Sequence, residues 1–118
     1  MNFNFWPFSR QRRKLPESIP VRARFIRTDA VGKGDLRLQS TLCRLGRAPD
    51  NEISFDNDSV SSHHAEIYYL PDSSFQICDL NSTNGTWVNG KRIQSQLLGN
   101  GDVVELGEVR LHFRVDHL

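Results

Sequence analysis

The apolar residues of this chain occur in short runs of three to seven, and most of these runs are closed by turn-forming residues. Three closures contain the dipeptide Asn-Gly, at residues 84–85, 89–90 and 100–101. Asn-Gly is the strongest short-range signal for a β-hairpin, because both residues tolerate positive φ. No window carries a sustained apolar period of 3.6 residues, which an amphipathic helix would need. The pattern therefore predicts an all-β chain built from many short strands.

Many short strands at close spacing are typical of an antiparallel β-sandwich or a barrel. The candidate strands are residues 21–25, 36–38, 42–45, 53–55, 65–70, 75–80, 86–88, 103–106 and 109–115. A chain of 118 residues suits one domain, which at this size needs no disulfide or metal to fold. Prolines at positions 7, 16 and 20 discourage regular structure before residue 21. We therefore divide the chain into a tail, residues 1–20, and a sandwich domain, residues 21–118.

Charge is distributed unevenly along the chain, although the net charge is only +1. Residues 1–27 carry a net charge of +6, and residues 28–118 carry −5. An acidic body argues against nucleic acid as the main ligand, since binding to a duplex needs a broad basic face. The two cysteines, Cys43 and Cys78, each lie in an apolar run. This favours two reduced, packed thiols in a cytoplasmic protein.

The tail combines four aromatic residues with a basic cluster: Phe3, Phe5, Trp6 and Phe8, then Arg10, Arg12, Arg13 and Lys14. The order is wrong for a secretory signal, in which basic residues precede the apolar segment. No apolar run approaches the ~20 residues of a membrane-spanning helix. Four interpretations stay open: docking onto another protein, folding back onto its own domain, a segment without fixed structure, and contact of residues 3–14 with an anionic membrane surface.

Polar side chains suited to a phosphate group occur in three turn-rich segments between the apolar runs. The donors are Arg47, Ser61, Ser62, Thr83 and Asn84. Arginine is always charged, and its planar fork of N–H groups matches phosphate oxygens. Hydroxyls donate to phosphate as well, and an asparagine amide both donates to and accepts from a peptide backbone. The set therefore predicts a phosphate clamp, formed by the arginine and the hydroxyls, with an asparagine beside it that binds the peptide backbone.

Six motifs in this chain resemble, in order and spacing, those of the forkhead-associated (FHA) domain, a family that reads phosphothreonine peptides. The motifs are Gly46-Arg47, Asn51-Glu52-Ile53, residues 61–65 (Ser-Ser-His-His-Ala), Asp79-Leu80 with residues 82–86 (Ser-Thr-Asn-Gly-Thr), Val88-Asn89-Gly90 and Gly101-Asp102-Val103. The resemblance covers residues 21–116. It implies a sandwich of two twisted sheets with ligand loops at one end. It also implies a signalling adaptor that binds phosphothreonine-containing substrates of a Ser/Thr kinase.

The resemblance assigns roles to individual residues. Arg47 is similar to the arginine that binds phosphate, and Ser61 to the serine that hydrogen-bonds it. Thr83 matches the residue lining the phosphothreonine pocket, and Asn84 the one gripping the peptide main chain. The loop-structuring positions are Gly46, His64 and Gly85, and a glycine supplies backbone geometry that other residues resist.

Ser62 departs from the family pattern, because that position is often basic or an asparagine. The clamp then holds one fixed positive charge, and the nearby Asp56 and Asp58 lower the local potential. We therefore expect phosphate binding of modest affinity.

Metal binding and catalysis find no support in the residue pattern. His63 and His64 are adjacent, so on a strand they point to opposite faces, and no cysteine or histidine lies at ligand spacing. Ser61, His64 and Asp79 lack the strand–elbow–helix context of a hydrolase triad. No glycine-rich phosphate loop with a lysine is present. We expect no cofactor and no enzymatic activity. A phosphate-independent interaction module and a membrane-surface adaptor remain as alternatives.

Overall fold

The computed structural model of the chain describes residues 15–29 and 34–116, and its regular structure in these ranges is entirely β. The strands are β1 (Arg22–Arg27), β2 (Asp35–Arg37), β3 (Leu42–Gly46), β4 (Ile53–Ser54), β5 (Ala65–Tyr69), β6 (Phe75–Asp79), β7 (Thr86–Val88), β8 (Lys91–Ile93), β9 (Ser95–Leu98), β10 (Val103–Leu106) and β11 (Val109–Asp116).

The strands form two sheets that pack face to face. The six-stranded sheet has the order β2-β1-β11-β10-β7-β8, and the five-stranded sheet has the order β4-β3-β5-β6-β9. Every pairing is antiparallel except that of β4 with β3, which is parallel. The predicted β-sandwich is confirmed, with this one parallel pair as an added detail.

Alternation along the strands explains how the core forms between the sheets. In β11, Val109, Leu111 and Phe113 are buried while Arg110 and Arg114 are exposed, as expected where one face of a strand packs inward. Aromatic rings then join the two layers. The Phe113 ring lies 5.4 Å from Phe25 in its own sheet and 5.3 Å from Phe75 in the other, measured between centroids.

The three Asn-Gly pairs have different structural roles. Asn89-Gly90 joins β7 to its partner β8, and both residues have positive φ, of 51° and 82°. This pair forms the predicted hairpin turn. The pairs at 84–85 and 100–101 connect strands of opposite sheets, and in each only the glycine has positive φ. The prediction of hairpins at those two pairs is wrong. The chain turns there to pass from one sheet to the other, so the strands on either side of the turn are not hydrogen-bonded to each other.

Both cysteines are free and buried, as the composition led us to expect. Cys43 packs in the core between the sheets, whereas Cys78 points to the outer face of the five-stranded sheet. Burial is the main reason that the pKa of each thiol is raised to about 12. Opposite faces of one sheet keep the two sulfur atoms apart, so the fold does not pair them.

The N-terminal approach to the sandwich begins before the first strand. Ile19 packs against the core, and Leu15 packs on the outer face of the five-stranded sheet. The aromatic and basic residues 1–14 lie outside the described part, so the division at residue 20 and the membrane contact of residues 3–14 stay predictions. Across residues 15–29 and 34–116, no helix is long and apolar enough to cross a membrane.

Candidate functional site

Three loops meet at one end of the five-stranded sheet. They are the 47–52 loop after β3, the 55–64 loop before β5 and the 80–85 loop after β6. Strand β5 lies between β3 and β6 and runs antiparallel to both, so its start lies beside their ends. The pairing therefore brings all five predicted phosphopeptide-binding residues to the same end of the sandwich.

Arg47 is the first residue after β3, and its backbone is tied to the neighbouring loop. Its N–H donates to the Ser61 carbonyl at 2.9 Å, and the N–H of Ala48 donates to the Ser62 carbonyl at 3.1 Å. The Arg47 side chain is exposed, with Nε donating to the Val60 carbonyl at 3.0 Å and Nη2 lying 3.5 Å from Ser62 Oγ. The guanidinium forms no ion pair within the described ranges. Most of its N–H donors thus remain available to a ligand.

Ser61 connects two of the loops through its side chain. Its Oγ accepts a hydrogen bond from the backbone N–H of Thr83 at 3.1 Å. A hydroxyl has one proton and two lone pairs, so the O–H is still free to donate to an anion. Ser62 is exposed, and its carbonyl accepts a second hydrogen bond from Asn51 Nδ2 at 2.8 Å. Ser61 and Ser62 therefore hold the loops together, with the Ser62 hydroxyl beside the Arg47 side chain and the Ser61 hydroxyl beside the Thr83 backbone.

His64 is fully buried beneath the site and braces it from within. Its Nδ1 accepts a hydrogen bond from the N–H of Ser61 at 3.1 Å, and its Nε2 donates to the carbonyl of Gly85 at 2.9 Å. These two partners require the neutral ring with its proton on Nε2. Burial lowers the pKa of His64, and this outweighs the opposing effects of the Gly85 carbonyl and the Asp79 carboxylate.

This lowered pKa predicts a specific pH dependence of stability. Protonated His64 is disfavoured in the folded state, so its contribution is complete above the unfolded pKa of 6.5 and is lost as the pH falls below that value. We expect the melting temperature to decrease between pH 7.5 and 5.5. His64→Gln should flatten that slope, whereas the exposed neighbour variant His63→Gln should retain it. Equal slopes for the wild type and His64→Gln in thermal denaturation would contradict the assignment.

Thr83 and Asn84 are exposed at the tip of the 80–85 loop. Asn84 Nδ2 donates to the Ser59 carbonyl at 2.8 Å, and the Asn84 carbonyl accepts a hydrogen bond from Trp87 Nε1 at 3.1 Å. The amide predicted to hold a peptide is therefore already partly engaged with the 55–64 loop. Its second N–H remains available, and Oδ1 accepts no hydrogen bond within the described ranges. Those two groups can contact a peptide main chain.

A network centred on Asp79 shapes the turn that carries Thr83 and Asn84. The carboxylate accepts from the N–H and Oγ of Ser82, at 3.1 and 2.5 Å, and from Thr86 Oγ1 at 2.6 Å. Ser82 Oγ in turn accepts from the N–H of Gly85 at 3.0 Å. Burial opposes ionisation of Asp79, but these hydrogen bonds hold its pKa below the ordinary value. The turn is therefore built before any ligand arrives.

The two glycines predicted to structure the loops occupy crowded positions. A Cβ at Gly46 would lie 2.2 Å from the Ser62 carbonyl oxygen and 2.8 Å from Asn51 Nδ2. Gly85 has φ of +91°, and a Cβ there would lie 2.7 Å from Arg92 Nε. Both positions exclude larger residues, the first by close backbone approach and the second also by its left-handed conformation.

Three residues that support the site were not predicted as part of it. Asn51 is 8% exposed and bridges Ala48 and Ser62 through its Nδ2, while Asp79 and Ser82 form the network described above. A sequence signal exists for Asp79 and Ser82, since aspartate and serine side chains commonly bond to backbone a few residues along. Asn51 belongs to one of the motifs that resemble the FHA domain, but the polar turn around it gives no local signal that its side chain is buried.

The local charge at the site is set by one guanidinium and several carboxylates. The exposed Asp56 and Asp58 of the 55–64 loop border a polar depression together with Asn57, Ser59 and Glu108. His63 is exposed, and its Nε2 lies 3.0 Å from the Asp50 carboxylate. The arrangement can hold an anion through directed hydrogen bonds, with little help from the surrounding potential.

The FHA domain family matches residues 43–107, which is more than half of the chain, and the chain belongs to that family. The glycogen accumulation regulator GarA of Mycobacterium tuberculosis is 41% identical over 76 residues, covering 64% of this chain and 46% of GarA. The oxoglutarate dehydrogenase inhibitor of Corynebacterium diphtheriae is 43% identical over 68 residues, covering 58% and 47%. The matched region is thus under half the length of these relatives.

Solved structures show the same fold. An FHA domain studied for its phosphothreonine-dependent interactions has a TM-score of 0.76 and 31% identity, covering 82% of this chain and 99% of that one. EmbR of Mycobacterium tuberculosis, in complex with a low-affinity phosphopeptide, has a TM-score of 0.74 and 30% identity, covering 82% and 25%. The FHA domain of FhaA, in complex with the intracellular domain of another protein, has a TM-score of 0.71 and 32% identity, covering 78% and 99%.

Proposed function

We propose that this chain is a non-enzymatic signalling adaptor that binds phosphothreonine-containing segments of partner proteins through its three loops. The observation that carries the proposal is the Arg47 guanidinium, which is exposed beside Ser62 and held by no carboxylate in the part of the chain that the structure describes. A phosphothreonine brings about −1.5 to −2 charges and three strong acceptor oxygens. This guanidinium and its neighbouring hydroxyls offer the donors that such a group needs.

Each residue has a distinct role in the proposed complex. Arg47 supplies charge-assisted hydrogen bonds to the phosphate, while Ser61, Ser62 and Thr83 supply neutral ones. Asn84 holds the peptide main chain through its remaining N–H and its Oδ1, so the ligand lies extended across the loop tips. A site with one fixed charge at the solvent edge suits a Kd on the order of micromolar, or about −8 kcal/mol.

The partners follow from this chemistry and from the relatives. A regulator, an inhibitor and phosphopeptide complexes are found among the similar proteins, and we carry that class of role to this chain. The partners are then proteins phosphorylated by a Ser/Thr kinase. The acidic body makes nucleic acid a poor ligand, and two buried reduced thiols suit a cytoplasmic location.

Hydrolysis by a Ser61–His64–Asp79 triad does not fit the hydrogen bonding. Both ring nitrogens of His64 are engaged with backbone groups, Nδ1 with the Ser61 N–H and Nε2 with the Gly85 carbonyl. The ring therefore has no nitrogen left to take a proton from Ser61 Oγ. A binding role for Ser61 is compatible with the same contacts.

An oriented phosphothreonine peptide library, followed by titration of the selected sequence, tests the function. We expect the phosphothreonine peptide to bind about fourfold or more tightly than its phosphoserine counterpart, because burying one methyl group contributes about 0.8 kcal/mol. Equal binding of the two phosphopeptides would overturn the threonine preference. Equal binding of the unphosphorylated peptide would instead favour the phosphate-independent alternative.

A further inference from the structure

The outer face of the five-stranded sheet carries an apolar patch where an antiparallel sheet usually presents polar residues to water. The side chains of Tyr68 in β5 and Cys78 in β6 point outward, yet these residues are only 8% and 2% exposed. Leu15, Leu42 and Leu70 pack against them. Register places Gln76 beside Tyr68 and Leu97 beside Gln76. We call this set the outer patch: Leu42, Tyr68, Leu70, Gln76, Cys78 and Leu97.

The described residues cover the outer patch incompletely. Leu97 is 55% exposed, the largest exposure of a hydrophobic side chain in the described ranges. Gln76 Oε1 is buried on the same face and has no hydrogen-bond donor among the residues described. Leu42 and Leu70 are half-buried, so three leucines of this face keep apolar surface in contact with solvent, and apolar surface exposed in this way can serve as an interaction site. Such a surface needs an occupant that brings apolar side chains.

The chain itself reaches the outer patch at Leu15, where the described part begins. The residues just before it carry the aromatic side chains Phe3, Phe5, Trp6 and Phe8. Fourteen extended residues reach about 46 Å, whereas crossing five strands takes only about 19 Å. A segment tethered this close has an effective concentration in the millimolar range, which no free partner matches.

Charge also favours this segment as the occupant. The basic residues of the segment are Arg10, Arg12, Arg13 and Lys14. The sheet face presents Glu66, whose carboxylate accepts a hydrogen bond from the Tyr68 hydroxyl, and Asp72 lies in the adjacent turn. Arg44 stands opposite Glu66 on this face, but its guanidinium is already paired with Glu52. The six-stranded sheet is a poor alternative, because its outer face places Arg24 between Arg37 and Arg114.

We propose that residues 1–14 dock on the outer patch of their own domain, with the aromatic side chains against Leu97 and Leu70 and the basic side chains toward Glu66 and Asp72. The patch lies on a sheet face, and Tyr68 and Leu70 lie toward the end of β5 away from the ligand loops. The docked segment completes the sandwich and leaves Arg47 and Asn84 open. It does not compete with a phosphopeptide.

Trp6 fluorescence tests the docking directly in the full chain. The chain contains two tryptophans, so Trp87→Phe makes Trp6 the sole emitter. We expect blue-shifted emission and protection from acrylamide. Leu97→Lys should shift the emission to the red and expose Trp6, because a surface lysine repels the basic segment without unfolding the domain. Gln96→Lys, the neighbouring exposed position on β9, is the matched control and should change neither signal.

Reactivity of the Cys78 thiol gives a second readout. In a Cys43→Ala background, replacing Phe3, Phe5, Trp6 and Phe8 together with serine should increase the rate of Cys78 labelling by about tenfold or more, because local opening then exposes the thiol. Affinity for a phosphopeptide should stay unchanged. The proposal would be overturned if acrylamide quenched Trp6 as strongly as free tryptophan in solution and the serine substitutions left the rate of Cys78 labelling unchanged. Protection that grows with protein concentration, or that needs anionic vesicles, would also overturn it in favour of a second copy or a membrane.

Discussion

Arg47→Ala is expected to abolish detectable binding of a phosphothreonine peptide, and to do so without unfolding the domain. Loss of the ionic partner that Arg47 gives the phosphate costs about 2–5 kcal/mol, which weakens the affinity by about 30-fold at the least. The fold tolerates the change because the Arg47 side chain is exposed and its Nε makes one hydrogen bond, to the Val60 carbonyl. Isothermal titration with the peptide selected from the library, alongside the melting temperature, measures both effects.

One further variant separates the geometry of the guanidinium from its charge, and a second serves as a control. Arg47→Lys keeps the charge but loses the planar fork and the Nε bond, so an intermediate affinity is expected. Arg114→Ala is the matched control, because Arg114 is an exposed arginine of β11 with no ion pair in the described part of the chain. Its removal should leave the affinity unchanged. Wild-type affinity of Arg47→Ala would show that the phosphate is held elsewhere.

Gly46→Ala is expected to damage both stability and binding. Its Cβ would lie 2.2 Å from the Ser62 carbonyl oxygen, which is backbone and cannot rotate away. The 47–52 and 55–64 loops would have to separate, breaking the bonds that Arg47 and Ala48 make to residues 61 and 62. Overpacking of this kind costs about 1–3 kcal/mol, and the melting temperature should fall by roughly 5–15 °C.

A control glycine in open surroundings isolates this steric effect. A Cβ at Gly99 would meet only Asp102 Oδ2, at an ordinary contact distance of 3.8 Å. Gly99→Ala should therefore melt close to the wild type and keep its phosphopeptide affinity. If Gly46→Ala also melted like the wild type, the close approach of β3 to Ser62 would be wrong.

The strands with one buried face could be predicted from sequence, and the exposed ones could not. Strands β1 and β11 could be predicted because apolar residues occupy every second position in each, Ala23 and Phe25 in β1 and Leu111 and Phe113 in β11. Strands β8 and β9 lack that pattern, since most of their residues are exposed and only Leu98 is buried. The parallel pairing of β4 with β3 depends on contacts distant in sequence, which a local pattern does not encode.

The site shows the same division between local signals and tertiary contacts. Hydroxyl, amide and guanidinium groups in turns predicted which residues come together, and the fold brings them to one end of the sheet. The engagement of Asn84 with Ser59 and the burial of Asn51 depend on how the loops pack against one another. Propensities of single residues carry no information about those contacts.

The most direct test of phosphate capture is a ¹H–¹⁵N NMR titration with one peptide in its phosphothreonine and unphosphorylated forms. We predict that the phosphorylated form selectively shifts the Arg47 Nε–H, the backbone N–H groups of Ser61 and Thr83, and the Asn84 side-chain amide. The unphosphorylated form should leave them in place. Identical shifts with both peptides, or shifts confined to the outer faces of the sheets, would contradict capture of a phosphate by Arg47 and its neighbouring hydroxyls.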